Sequence, residues 1–168
     1  MLKNTIACMM LTLFNSFSFG LEPSIPLQVW VNEAIVNTYT FNDENLLERQ
    51  KDMAQYFSPQ AWKVYLDVLN KSNILSQVKT QHYQVSAVAT LPPTITVNPN
   101  THSWQAQMPI LVSYKNKAQK QIQNLEIDLE IIKSDSSDNR GYAIVKYEAK
   151  ILNQPCTCQA QYPKVTIV

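Results

Sequence analysis

Two cysteines near the C-terminus, Cys156 and Cys158, are the residues whose type and spacing suggest chemistry most directly. A disulfide between cysteines separated by one residue closes a small, strained ring, and strained disulfides are reduced or exchanged more easily. The pair is therefore a candidate disulfide with a redox or intermolecular role. The alternatives are a local clip on the tail or two thiols joined to a second chain. The sequence favours these alternatives over catalytic redox chemistry, because it lacks the helical Cys-x-x-Cys spacing that lowers a thiol's pKa.

The two histidines, His82 and His102, do not extend the cysteine pair into a metal or catalytic site. A structural metal site needs about four ligands, and both histidines stand alone in polar, strand-like segments. A nucleophilic triad needs a base beside a serine, cysteine or threonine, and neither histidine lies in such a motif. The sequence therefore predicts no catalytic residue, no metal site and no cofactor.

Three carboxylates, Glu126, Asp128 and Glu130, alternate with apolar residues in one segment. On a β-strand this spacing places all three on one face, where they are candidates for acid/base work or calcium binding. A half-buried antiparallel strand with a solvated outer face has the same pattern. The strand explains all three residues, so a solvent-exposed sheet face is the favoured interpretation.

The composition of the 168 residues excludes further function classes. The 2 glycines are too few for a Walker loop or a dinucleotide-binding turn, because each needs several positions without a Cβ. The 14 Lys and Arg residues balance 13 Asp and Glu residues, so the chain lacks the excess positive charge that drives nucleic-acid binding. One folded domain of ordinary apolar content is the expectation.

Residues 1–20 have the pattern of a secretory signal peptide. Lys3 supplies the positive start, residues 6–14 form an apolar run, and Ser18 and Gly20 are small residues at the two positions that a signal peptidase checks. The apolar run is shorter than the roughly 20 residues that span a bilayer. We therefore expect cleavage after Gly20, no permanent membrane span, and a periplasmic or secreted protein. Lipidation at Cys8 is the weaker alternative, because the apolar run follows that cysteine.

The first half of the mature chain carries three helix-start signals. Ser24 and Ser58 each precede a proline, and Asn42 precedes two acidic residues, which are typical arrangements at helix N-termini. Apolar residues recur at intervals of three and four after each start. The sequence therefore predicts three amphipathic helices, the last of which ends in the polar residues 70–73.

The second half changes to a period of two, which is typical of strands. We predict strands over residues 83–89, 94–97, 104–115, 122–132 and 142–152. Pro109 within the third of them indicates a bulge or an edge position. Three helices followed by four or five mostly antiparallel strands predict an α+β domain in which the helices cover one face of a curved sheet. This domain spans residues 21–152, and residues 153–168 form an extended tail.

Aromatic side chains are concentrated in the helical half, and a further tryptophan lies in the third predicted strand. Core packing is the ordinary role of such residues, and a ligand cavity or a groove for a partner is the alternative. The candidates for groove or partner contacts are Trp30, Tyr39, Phe57, Trp62 and Trp104.

Six blocks of the sequence, in the same order, resemble the IcmL/DotI family of type IVB (Dot/Icm) secretion systems. The blocks are residues 30–42 (WVNEAIV followed by YTFN), 55–62 (QYFSPQAW), 69–73 (LNKSN), 85–88 (VSAV), 104–114 (WQAQMPILVSY) and 140–144 (RGYAI). The resemblance implies a periplasmic domain like that of the VirB-type inner-membrane component. The fold of that domain is a nuclear-transport-factor-like cone, here three helices on a four- to five-stranded antiparallel sheet.

The family resemblance also implies a function by assembly rather than by catalysis. Its members are non-enzymatic parts of an export channel that tend to self-associate, so secretion-system or other envelope proteins and a homo-oligomer are the expected partners. Two features depart from the family pattern: the short signal peptide in place of a transmembrane anchor, and the Cys-x-Cys tail. They predict a soluble, periplasmic accessory or assembly subunit.

A different use of the same cone is the alternative function. Folds of this shape can hold a small molecule, or an enzyme site, between the helices and the sheet. Polar or titratable groups converging in that space would favour this use, and a filled aromatic core would disfavour it. The alternating Leu125, Ile127, Leu129 and Ile131 favour a filled core.

Overall fold

The computed structural model describes residues 24–135 and 140–152. Four helices come first: α1 (Ile25–Thr38), α2 (Leu46–Ala54), α3 (Pro59–Lys71) and α4 (Ile74–Gln81). Five strands follow: β1 (Gln84–Ala89), β2 (Thr94–Asn98), β3 (Ser103–Lys115), β4 (Lys120–Lys133) and β5 (Tyr142–Ile151). The predicted order of helices before strands is confirmed. The predicted signal peptide with Cys8, the predicted cleavage site after Gly20, and the predicted tail with Cys156 and Cys158 lie outside the described residues.

Two of the predicted helix starts have the expected cap geometry. The Ser24 hydroxyl accepts a hydrogen bond from the Leu27 amide at 3.4 Å, and the Ser58 hydroxyl accepts one from the Ala61 amide at 3.3 Å. A proline follows in the first turn of each helix, where its missing N–H has no partner to lose. Each cap typically stabilises a helix by about 1 kcal/mol.

The described residues contain four helices, and the prediction of three was wrong by one. α3 ends as predicted near the polar residues 70–73, but Asn73 adopts a left-handed conformation (φ 56°) and the chain then begins α4. This helix has 8 residues and buries only Val78 fully, with Ile74 and Leu75 half-buried. So short an element shows too few apolar repeats to stand out from the strand pattern that follows it.

All strand pairs in the sheet are antiparallel. The strand order is β1-β3-β4-β5, and β2 pairs with β3 beyond the end of β1. β3 and β4 form a long hairpin closed by residues 116–119, in which the Asn116 side chain accepts hydrogen bonds from the amides of Ala118 and Gln119. β3 is therefore an interior strand with two short strands along one side and β4 along the other.

Pro109 lies in this interior strand, so the prediction of a bulge or an edge position was wrong. The β3–β4 register runs without a shift from Trp104 opposite Ile131 to Lys115 opposite Lys120. Pro109 instead faces the break between β1 and β2, where its carbonyl accepts hydrogen bonds from the Thr90 amide at 3.0 Å and hydroxyl at 3.1 Å. No strand amide is needed at this point, so the missing N–H of proline disrupts no ladder.

The helices cover one face of the sheet, as the alternation in β4 predicts. Leu125, Ile127, Leu129 and Ile131 are at most 5% exposed, whereas the intervening carboxylates lie on the opposite, solvated face. α1 is the most deeply buried helix, with five apolar residues at 1% exposure or less: Leu27, Trp30, Val31, Ala34 and Ile35. The core therefore lies between α1, α3 and the apolar sheet face.

Candidate interaction site

A first aromatic cluster joins α1 to the sheet. Trp30 and Trp104 both contact Tyr142, with ring centroids 5.5 Å and 5.6 Å away, and Trp30 also contacts Tyr56 at 5.8 Å. Trp30 is 1% exposed and Trp104 is 3% exposed. The structure therefore places these two predicted contact residues in the core.

A second aromatic cluster lies between α3 and β5. Phe57 contacts Trp62 at 5.4 Å and Tyr65 at 5.2 Å, and both Phe57 and Tyr65 contact Tyr147. Phe57 is buried, whereas Trp62 and Tyr39 are half-buried and pack against the core from its margin. Of the five predicted contact residues, Trp62 and Tyr39 are therefore the ones with surface left to touch a partner.

Tyrosine hydroxyls within this cluster remain neutral at ordinary pH. Burial raises the pKa of Tyr39 to about 12. Burial is also the main cause that raises the pKa of Tyr65 and Tyr147 well above the usual value. Neutral hydroxyls among aromatic rings give this interior the character of a packed core rather than of an acid/base site.

A polar network ties α1 to the hairpin that joins β4 and β5. The Tyr56 hydroxyl donates to the Glu33 carboxylate at 3.1 Å and accepts from the Asn37 amide at 3.1 Å. Arg140 donates to the other oxygen of Glu33 at 2.8 Å. Glu33 and Arg140 lie in different blocks of the family resemblance, but they are 107 residues apart and no periodicity links them.

The solvated face of the sheet carries a polar groove of about 320 Å³. Within it, Asp128 accepts hydrogen bonds from Gln107 at 2.7 Å and Lys150 at 2.5 Å, and Glu130 accepts one from Ser103 at 2.9 Å. Partial burial alone would raise the pKa of Asp128, but the hydrogen bonds from Lys150 and Gln107 outweigh it and hold the pKa below its usual value. Two of the three predicted carboxylates, Asp128 and Glu130, thus pair across strands on a wet sheet face.

An apolar groove of about 450 Å³ lies where the start of α1 meets the β1–β2 connection. Val29 on α1 is 54% exposed, and Leu91 in the connection is 63% exposed beside Pro92 and Pro93. On α3, Val64 and Val68 are 53% and 59% exposed. Exposed apolar side chains of this kind are more typical of protein contacts than of catalysis.

The described ranges, 24–135 and 140–152, contain no group of three or more His, Cys, Asp or Glu residues arranged to hold a metal ion. None of their helices has the length and hydropathy needed to cross a bilayer.

Comparison with known proteins identifies the family. The model of a type IVB secretion-system family, DotI/IcmL, described as an inner-membrane complex component, matches residues 22–150. An IcmL-like type IV secretion system protein from Legionella pneumophila subsp. pneumophila strain Philadelphia 1 is 38% identical, with a TM-score of 0.76 over 83% of this chain and 100% of that one. No curated protein matches the chain.

Two further solved structures support the fold. The periplasmic domain of DotI is 30% identical, with a TM-score of 0.70 over 79% of this chain and 98% of that one. Agrobacterium tumefaciens VirB8 is 12% identical, with a TM-score of 0.56 over 80% of this chain and 99% of that one, which concerns the fold alone. These likenesses confirm the predicted VirB-type, nuclear-transport-factor-like α+β fold. The chain belongs to the DotI/IcmL family of type IVB secretion-system inner-membrane-complex components.

Proposed function

We propose that the chain works in the periplasm as a non-enzymatic interaction protein, an accessory or assembly subunit of a type IVB secretion system. Its family supports a place in that system, and its likeness to the DotI periplasmic domain supports the location. The observation that carries the proposal is the packing of the interior. The space between helices and sheet, where the fold would hold a ligand, is filled by aromatic and aliphatic side chains.

The alternative, a small-molecule or enzymatic use of the cone, requires polar groups that converge on an internal cavity. The tyrosine hydroxyls inside are neutral, and no charged side chain of the described residues is buried in the core. The exposed apolar residues on α1, α3 and the β1–β2 connection fit contacts between proteins better than binding of a small molecule.

The contact surface that we propose includes Trp62 and Tyr39, together with the tail cysteines. Trp62 is half-buried beside Phe57, so a partner that covers it would bury aromatic surface. A disulfide between Cys156 and Cys158, or from one of them to a partner, would make the contact sensitive to reductant.

The test is affinity capture of the tagged chain from the detergent-solubilised envelope of its own cell, with and without reductant. We expect DotI/IcmL-family and other subunits of the secretion complex by mass spectrometry, and less of them with Trp62→Ala. Lys63→Ala, at a neighbouring exposed position, is the matched control. Loss of capture under reductant and with Cys156→Ser/Cys158→Ser would assign the contact to the tail. Recovery of no secretion-complex subunit in any condition would overturn the proposal.

A further inference from the structure

Strand β5 forms one edge of the sheet, and the first half of this edge is covered. The Ile144 amide donates to the Tyr56 carbonyl at 2.8 Å, and its carbonyl accepts from the Ser58 amide at 2.9 Å. Phe57 thereby forms a parallel bridge with Ile144. The segment between α2 and α3 therefore blocks further strand pairing at the start of β5.

The second half of β5 is open along its edge. The register shifts between Ile131 opposite Ile144 and Glu130 opposite Lys146, which places a bulge at this point. At the far end, the Leu152 amide donates inward to the Asn124 carbonyl at 2.9 Å. Because inward and outward backbone groups alternate in an antiparallel strand, residues 147, 149 and 151 direct their N–H and C=O groups away from β4. Within the described part of the chain, no strand pairs with these groups.

The side chains of this open half alternate in type. Tyr147, Ala149 and Ile151 lie on the helix-covered face, and Ile151 is 66% exposed. Lys146, Glu148 and Lys150 lie on the solvated face with alternating charge.

We propose that residues 147–151 pair with the same residues of a second copy, antiparallel, about a two-fold axis at Ala149. In this register Glu148 of each copy faces Lys150 of the other, and Tyr147 faces Ile151. The outward backbone groups of residues 147, 149 and 151 then meet their counterparts as hydrogen-bonded pairs. This inference rests on the proposed interaction role, with a second copy as one partner.

The charge pattern selects this register over its neighbours. An axis at Glu148 would place glutamates opposite each other and Lys146 opposite Lys150, and like charges directly opposite destabilise a sheet. An axis at Tyr147 would place Lys150 against Ile144, whose edge is already bonded to Tyr56 and Ser58. The register centred on Ala149 avoids both conflicts, and it buries the exposed Ile151 against Tyr147.

The backbone is tested with Ala149→Pro, measured by sedimentation velocity of the intact chain in reductant over a range of concentrations. The Ala149 N–H points away from β4 and takes no part in its hydrogen bonds with β5. Proline at this position should therefore leave the fold intact while removing a backbone hydrogen bond between the two copies. We expect a concentration-dependent dimer for the wild type and for Ala149→Ser, and a monomer for Ala149→Pro. Circular dichroism confirms folding of each variant. A wild type that is monomeric throughout, or a dimer unchanged by Ala149→Pro, would overturn the proposal.

The charges are tested by mixing two variants that cannot pair with themselves. Glu148→Lys alone brings lysines together, and Lys150→Glu alone brings glutamates together, so each homodimer should weaken by about fivefold or more. A one-to-one mixture restores both opposite-charge pairs, and we expect heterodimers near the wild-type affinity. Lys79→Glu on α4 makes the same charge change away from the edge and should dimerise normally. Failure of the mixture to recover would contradict the register.

Amide hydrogen exchange separates the other occupants of this edge. We expect exchange at residues 147, 149 and 151 to slow as the protein concentration rises. Exchange that is slow at every concentration would mean that the chain covers its own edge, which rejects the proposal. A monomeric chain that still captures secretion-complex subunits would reject the self-pairing and leave the proposed function standing.

Discussion

The Arg140 guanidinium donates to the Glu33 carboxylate at 2.8 Å, which joins the β4–β5 hairpin to the middle of α1. Glu33 also accepts from the Tyr56 hydroxyl at 3.1 Å, so three separate parts of the chain meet at one carboxylate. The Arg140 and Glu33 side chains are 58% and 38% exposed, which limits the strength of the ion pair itself.

The Glu33 network predicts unequal effects for its members. Arg140→Ala removes an exposed ion pair and should lower the free energy of unfolding by less than about 1 kcal/mol. Glu33→Ala also removes the acceptor of the Tyr56 hydroxyl and should cost about 1–2 kcal/mol. Urea unfolding measures both. An Arg140→Ala effect that exceeds that of Glu33→Ala would contradict this account.

Replacement of Trp30 should cause the largest loss of stability among substitutions on α1. Its ring packs against Tyr56 and Tyr142 and is 1% exposed, so Trp30→Ala should cost about 3–5 kcal/mol. Trp30→Phe should cost much less, because it keeps an aromatic ring and removes an indole N–H that is buried without a partner in the structure. Val29→Ala, at a 54% exposed neighbour, is the control. Thermal and urea unfolding compare the three; similar losses for Trp30→Ala and Val29→Ala would refute the prediction.

The hydrogen bond between His82 and Asp43 should make the folding stability depend on pH in the acid range. The hydrogen bond from His82 lowers the pKa of Asp43, so the folded chain binds this proton less readily than the unfolded chain. The contribution is therefore present above the ordinary aspartate pKa of about 3.9 and is lost as the pH falls through the lower folded value. Asp43→Asn should flatten that part of the pH profile of the urea midpoint, whereas Asp67→Asn on α3 should leave it in place. Identical profiles for wild type and Asp43→Asn would disprove the link.

Substitution of Gly141 should lower the folding stability through the backbone conformation of the β4–β5 hairpin. Its φ is +79°, a region that side chains with a Cβ adopt at a cost, and its carbonyl accepts from the Ser134 amide at 2.9 Å. A Cβ here would meet the Ser134 carbonyl at 3.6 Å, so the cost comes from the backbone conformation rather than from a clash. Gly141→Ala should cost about 1–2 kcal/mol and Gly141→Asn less, because asparagine tolerates this region better. Equal losses in urea unfolding would count against this explanation.

The predicted signal peptide gives an expected N-terminus for the mature protein. Mass spectrometry of the chain recovered from the periplasm should find Leu21 as the first residue. Gly20→Arg should block processing and leave the longer species in the membrane fraction, whereas Glu22→Gln should be processed normally. A mature chain that retains residues 1–20 would refute the predicted cleavage.

Local rules predicted the features that depend on neighbouring residues. The caps at Ser24 and Ser58 and the alternation of β4 follow from side-chain chemistry within one turn or one strand, and both appear in the structure. The start of α2 illustrates the limit of such rules. Asn42 does not cap the helix directly; its side chain closes a turn by accepting from the amides of Glu44 and Asn45, and the helix begins at Leu46. Turn and cap use the same side-chain oxygen, so local sequence does not separate them.

Tertiary features were beyond the reach of these rules. The position of Pro109 depends on where β1 ends and β2 begins along the other side of β3. The choice between core and contact roles for Trp30 and Trp104 depends on Tyr142, which lies far from both in sequence. The second half of β5 is open because the segment around Phe57 covers only the start of that strand. Each of these follows from a distant part of the chain rather than from a period or a motif.

The long β3–β4 hairpin has a consequence for the order of folding. Its two strands are joined by residues 116–119, so their pairing closes a short loop and forms early. The apolar side of α1 packs on the face of that sheet, although α1 (Ile25–Thr38) is synthesised well before β4 (Lys120–Lys133). The apolar side of α1 therefore stays exposed until the hairpin has been synthesised. The helical half is thus the part of the nascent chain that most needs chaperone protection.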